Sequence, residues 1–202
     1  MIHDNSTMSK RPHPFFKDPD IRLPVKDTDV WNAFRKGNDE AFIFIYETCF
    51  NSLFAYGMRI VGNHELVEDA IQELFIDLRN HRDRLNPTDS IKFYLFKCLK
   101  RKLHREASKW IYKRQDLDGS HNFEFTISHE QHLIDKQVDE DELNQLNEAI
   151  RKLSLRKKEI IYYFFYEELD YRQIQEIMNL ESIKSARNLL YKALDFLRAK
   201  LK

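Results

Sequence analysis

From Asp27 almost to its last residue, the chain repeats apolar side chains at intervals of three and four, a period that admits little besides α-helix. Trp31, Phe34, Phe42, Ile45, Tyr46, Cys49, Phe50, Leu53 and Phe54 mark one buried face. Gly62-Asn63 interrupts it, and Asn63 can cap a second helix carrying Leu66, Val67, Ile71, Leu74, Phe75 and Leu78. Arg82 to Ser90 (RDRLNPTDS) reads as a loop, by its Asn-Pro pair and its turn-forming residues. A third helix follows, with Ile91, Tyr94, Leu95, Cys98, Leu99 and Leu103 inward and its lysines and arginines outward; it fades near Trp110–Arg114. Four glycines and five prolines, three of them (Pro12, Pro14, Pro19) in the first 20 residues, are too few for a meander of short strands. The expected fold class is all-α.

Periodicity also divides the chain. Residues 1–26 are polar, proline-punctuated and aperiodic, and are expected to be disordered or loosely attached. Residues 27–114 form a first helical domain. Residues 115–142, with a glycine, scattered histidines and weak periodicity, read as an acidic linker. Periodicity returns at Leu143, Leu146, Ile150 and Leu153 and continues through Ile160, Ile161, Phe164 and Phe165, so residues 143–202 form a second domain. The formal net charge of zero is a cancellation of blocks. Residues 1–26 carry +2, 27–90 carry −6, 91–115 carry +8, 116–148 carry −9 and 149–202 carry +5. Two basic blocks flanking an acidic one suggest two polyanion-facing surfaces joined by a segment that avoids polyanions.

Several classes are set aside on the same residues. No stretch approaches the roughly 18 consecutive apolar residues of a membrane span, and MIHDNSTMSKRPHPFF lacks the apolar core of a signal peptide. Cys49 and Cys98 stand alone among apolar neighbours and read as buried free thiols, which suits a reducing cytoplasm. The four histidines from His104 to His132 have no ligand spacing, so neither metal nor cofactor is expected. There is no Gly-rich phosphate loop and no nucleophile–base pairing, so an enzyme is not expected.

Near the C-terminus the local signals converge. Asp170-Tyr-Arg-Gln173 has the form of a capping box that starts a short helix burying Ile174, Ile177 and Met178. Asn179 can take the left-handed conformation of a tight turn, and Ser182 can cap a longer helix with Ile183, Ala186, Leu189, Leu190, Ala193, Leu194 and Leu197 on one face. Small Ala186 suits a close crossing. The opposite face shows Lys184, Ser185, Arg187, Asn188, Tyr191 and Lys192; Arg and Asn make bidentate contacts to guanine and adenine edges, while Lys and Ser suit phosphates. A short helix, a brief turn and a longer helix with this face make a helix-turn-helix.

Glu68 to Phe75, EDAIQELF, followed by Ile76-Asp77-Leu78, closely resembles the acidic, glutamine-containing helix of bacterial sigma factors. FRKGNDEAFIFIYETCFNSLFAYGMRIVGN resembles the first conserved helix of sigma region 2, SIKFYLFKCLKRKLHREASKW the helix that meets the promoter −10 element, and the stretch from Leu146 to Leu201 region 4. Nothing between them matches the longer housekeeping forms, so the likeness is to the extracytoplasmic-function (ECF) type of the sigma-70 superfamily, over roughly residues 28–110 and 143–201.

The resemblance implies a sigma region 2 bundle and a sigma region 4 helix-turn-helix. It implies a cytoplasmic, non-enzymatic factor that binds core RNA polymerase, recognises promoter −35 and −10 elements and promotes transcription initiation, commonly under an anti-sigma factor. Asp69, Gln72, Glu73 and Phe75 would meet the polymerase. Arg82, Arg84, Asn86, Lys92, Lys97, Lys100, Arg101 and Arg105 would serve the −10 region as single strand, with Phe93, Tyr94 and Phe96 either core or base-stacking. The recognition-helix residues named above would read the −35 element, and apolar residues near Ile160–Phe165 would hold the polymerase flap. The chain departs from the family's pattern at Arg79, which stands where a Trp is usual, at Arg101 and Arg105, where an Asn and an Asp are common, and at Asn179, which replaces a glycine. A helix-turn-helix regulator that never acts as a sigma subunit is the competing reading; it accounts for residues 143–202 but not for EDAIQELF.

Overall fold

The computed structural model describes residues 26–113, Phe123, Phe125 and residues 140–201. Every regular element among them is helical, as the spacing of apolar residues requires. Helices α1 (Asp27–Arg35), α2 (Asp39–Val61), α3 (His64–Asn80) and α4 (Ile91–Lys113) form the first group, and α5 (Glu140–Arg151), α6 (Leu155–Ile161), α7 (Tyr171–Ile177) and α8 (Ile183–Lys200) the second. The expectations for residues 1–25 and for most of the acidic linker fall outside the described residues. No helix among the described residues is long and apolar enough to cross a membrane.

The face that reads as one helix from Trp31 to Phe54 is two. Gly37 adopts a φ of 93°, a conformation open to glycine at little cost, and the chain turns there. Asn38 restarts the helix by accepting a hydrogen bond from the Ala41 amide at 2.9 Å. The apolar spacing runs through the break because Phe34 and Phe42 stack across it, with centroids 5.7 Å apart. The next boundary falls where expected: Gly62 is left-handed, and Asn63 accepts from the Leu66 amide at 3.0 Å.

Helices α2, α3 and α4 enclose a core of Ile45, Leu53, Val67, Ile71, Leu95, Leu99 and Leu103, none with measurable exposure. The α2–α3 approach depends on Gly57, where a Cβ would stand 2.6 Å from Val67 Cγ1. The loop from Arg82, which opens with a 3-10 turn over Arg82–Arg84, is fastened to α1. Trp31 Nε1 donates to the Asn86 carbonyl at 2.8 Å, and Asp27 Oδ2 accepts from the Ile91 amide at 2.7 Å. Asp27 thereby caps α4 from far away in sequence, satisfying an amide that the helix itself cannot.

In the second group, α6 runs directly into one turn of π-helix, Tyr162–Tyr166. Such a turn re-aims the side chains that follow it. It turns Tyr162 and Tyr163 inward and leaves Phe165 outside. Buried Ile160, Ile174, Ala186, Leu190 and Ala193 complete this half. The two groups share one continuous apolar cluster. Tyr56 of α2 bridges them, its ring centroid 4.7 Å from that of Phe96 and 5.8 Å from that of Tyr163.

Candidate nucleic-acid interface

The helix-turn-helix is built from local hydrogen bonds. Asp170 Oδ1 accepts from the Gln173 amide at 2.8 Å, and Gln173 Oε1 accepts from the Asp170 amide at 2.9 Å. Helix α7 ends at Ile177, and Asn179 in the turn beyond it has a left-handed φ of 49°. Gln175 Nε2 donates to the Leu180 carbonyl at 2.8 Å and clamps the turn. Ser182 Oγ then accepts from the Ser185 amide at 3.1 Å, starting α8. Ala186 has no exposure, which lets α7 cross closely.

Of the six residues expected to read duplex DNA, Lys184, Arg187, Asn188, Tyr191 and Lys192 are exposed on α8. Ser185 is half-buried, its hydroxyl 3.0 Å from that of Ser182. The Arg187 guanidinium lies 5.3 Å over the Tyr171 ring, which orders a side chain otherwise free to wander. Ile183, expected inside, is largely exposed in the first turn.

The second surface is the loop before α4 and the basic face of α4. Arg84 and Asn86 are exposed, and Arg82 lies along the Gly37 turn, its Nη2 3.3 Å from where a side chain there would begin. Arg101 and Arg105 are exposed, with Arg105 Nε 3.3 Å from Glu106 Oε1. They border an open groove of about 510 Å³ between α3 and α4, to which Tyr94, Cys98, His81 and Leu85 also contribute. His81 and Leu85 carry no sequence signal for this; the fold brings them there. Tyr94 is half-buried, its ring 5.0 Å from Trp31, and burial, reinforced by Cys98, raises its pKa to about 12. Phe96 is core, without exposure, while Phe93 is half-buried.

On α3, Asp69, Gln72 and Glu73 are exposed together. Phe75 is only 4% exposed and sits edge-on to Phe42 and Tyr46, so it shapes this surface from beneath. Lys102 donates to Glu73 at 2.9 Å and to Asp77 at 3.0 Å. Burial works against its charge, but these two carboxylates prevail and raise its pKa. Arg79 spreads its guanidinium 5.7 Å over the Phe42 ring and reaches Asp39 at 3.6 Å, so a flat cation covers that ring. Of the apolar stretch Ile160–Phe165, Ile160 and Ile161 are buried and Phe165 is exposed.

Three of the eight residues assigned to the −10 region already have anionic partners from the second group. Lys92 Nζ is 2.7 Å from Glu167 Oε2, Lys97 Nζ is 2.9 Å from Glu176 Oε2, and Lys100 Nζ is 3.3 Å from Glu159 Oε1. Glu167 is itself buried and accepts from the Tyr162 hydroxyl. No local pattern marks Glu159, Glu167 or Glu176, because their partners lie on a helix before the linker. No group of His, Cys, Asp and Glu among the described residues is placed to hold a metal ion.

The family model for Sigma-70 region 2 matches residues 45–111, from α2 through most of α4. No curated protein sequence is a significant match. Among solved structures, the chain is similar to the sigma factor RpoE of Bartonella quintana, seen with the anti-sigma factor NepR. That likeness has 20% identity and a TM-score of 0.56, covering 79% of this chain and 96% of that one. It is also similar to CnrH, seen with the cytosolic domain of CnrY, at 18% identity and a TM-score of 0.54, covering 87% of this chain and 96% of that one. At such identities the likeness is one of fold. Over residues 45–111 the chain thus matches Sigma-70 region 2, and its helical fold is that of these two structures.

Proposed function

We propose that this chain is a dissociable specificity subunit that binds core RNA polymerase in the cytoplasm and directs it to promoters with −35 and −10 elements. The region 2 match over residues 45–111 carries this reading, because it spans both the acidic face of α3 and the basic face of α4. Asp69, Gln72 and Glu73 would meet cationic residues of the polymerase. The loop Arg82–Ser90 and α4 would hold the −10 element as single strand, where exposed backbone needs cations and unstacked bases need a cavity. The α3–α4 groove, with Tyr94, Arg101 and Arg105, offers both. Lys184, Arg187, Asn188, Tyr191 and Lys192 would read the −35 element from the major groove. On this reading residues 27–114 and 143–202 work as two domains joined by the linker 115–142. The Bartonella structure pairs its sigma factor with an anti-sigma factor, and such a partner is proposed here as well.

Run-off transcription with core polymerase, with and without this chain, on genomic promoter fragments tests the proposal. Initiation at discrete sites only in its presence is expected. Failure both to bind core and to start transcription at any site would sink it. Footprinting separates the competing regulator, which should protect one duplex site without opening any DNA.

A further inference from the structure

Of the three cations assigned to duplex DNA, Lys184, Arg187 and Lys192, only Arg187 is held by a described neighbour. Its guanidinium carbon lies 5.3 Å from the ring centroid of Tyr171, the first residue of α7. Among the described residues, no carboxylate comes within ion-pair distance of it. A carboxylate would neutralise the cation and occupy the N–H edge that pairs with a guanine. An aromatic ring takes only the π face and leaves the five in-plane N–H donors free.

Tyr171 is itself fixed. The capping box of Asp170 and Gln173 closes around it on the backbone. The Leu169 amide donates to the Tyr163 carbonyl at 3.0 Å, which ties the segment entering α7 to the π turn. From the same π turn, half-buried Phe164 brings its ring to 5.2 Å from that of Tyr171, at 33°. The π turn thus sets Phe164 against the ring that carries Arg187. An arginine already parked on such a ring loses less side-chain freedom when it engages a base than one that roams the solvent.

We propose that Tyr171 is a positioning residue that presents Arg187 to the edge of a guanine, so that a side chain of α7 sets a base preference exerted by α8. The proposal rests on the reading of α8 as the helix that reads the −35 element. The magnitudes separate the two roles. A bidentate arginine–guanine pair discriminates against a wrong base by about 5-fold to 150-fold. A cation–π contact at an exposed site biases the guanidinium by only about two- to fivefold. Loss of the ring should therefore remove part of the guanine preference, and loss of the guanidinium all of it.

Core polymerase carrying the full chain is offered a pool of random-sequence duplexes, and the bound fraction is sequenced. Arg187→Ala is expected to lose a guanine preference at one position, which identifies the base it reads. Tyr171→Leu should lower the preference at that same position by about two- to fivefold and leave the others alone. It removes no charge, so the salt dependence of binding should not change. Tyr171→Phe keeps the ring without the hydroxyl and should match the parent. Equal weakening on all sequences by Tyr171→Leu would make Tyr171 a merely structural residue and overturn the proposal. A loss in Tyr171→Phe as large as in Tyr171→Leu would also overturn it, by assigning the effect to the hydroxyl, and so would an Arg187→Ala variant that changes no position. If Tyr171→Leu does not fold, proton NMR of the parent and of Tyr171→Phe decides: the ring current should move the Arg187 δ-protons upfield in both, and ordinary shifts would remove the contact. A parent that selects no sequence would instead sink the reading of α8 itself.

Discussion

The hydroxyls of Tyr56 and Tyr163 meet at 2.5 Å, between α2 and the π turn, at a point neither residue exposes to solvent. Each is the other's partner across the seam between the two helical groups, and Lys100 adds a donor to Tyr163. Tyr163→Phe strands the Tyr56 hydroxyl and is expected to cost about 1–3 kcal/mol. The double variant Tyr56→Phe/Tyr163→Phe should cost less than the sum of the two single changes, because it leaves no orphaned hydroxyl. Urea unfolding of the three variants measures this, and strict additivity would show that the pair is not coupled.

The same seam makes the fold sensitive to alkali. Burial is the leading cause that holds the Tyr56, Tyr162 and Tyr163 hydroxyls above the ordinary tyrosine value of 10.0. The unfolded chain releases these protons near pH 10 while the folded chain keeps them. Their contribution is therefore whole below pH 10 and is lost as pH rises above it. Tyrosinate absorbance should rise in step with the loss of helical circular dichroism. Smooth titration of all tyrosines near pH 10 with the helices intact would contradict the burial described.

Asn179 sets the angle of the helix-turn-helix from a left-handed backbone. A β-carbon without a local polar partner is disfavoured there by about 1–2 kcal/mol, so Asn179→Ala should lower the denaturation midpoint. Asn179→Gly should hold or raise it, since glycine reaches this conformation freely. Thermal unfolding of the two variants compares them, and equal stabilities would argue against strain at this turn.

The exposed face of α8 predicts a salt effect. Lys184→Ala, Arg187→Ala and Lys192→Ala should each weaken binding to duplex promoter DNA and lower the slope of log affinity against log salt by about 0.9 per lost phosphate contact. Titrations at several salt concentrations give that slope. An unchanged slope at all three positions would remove this face from the DNA.

What the sequence determined by itself is the part written in neighbouring residues. The helical period, the caps at Asn63, Asp170 and Ser182, and the turn at Asn179 depend on atoms a few residues apart, so their residue types suffice to announce them. The solvent-facing side chains of α8 were legible for the same reason, since one helix fixes its own faces. The break at Gly37 was missed because Phe34 and Phe42 stack across it and preserve the apolar rhythm.

Tertiary structure alone decided the rest. Asp27 caps α4, and Phe75 turns inward beneath the acidic face of α3. Lys92, Lys97 and Lys100 look in the sequence like free cations on a helix surface, yet they meet Glu167, Glu176 and Glu159 across the linker. A charge pattern tells which groups attract; only packing of the aromatic seam brings these particular ones within ion-pair distance, and so decides which cations of α4 are already paired.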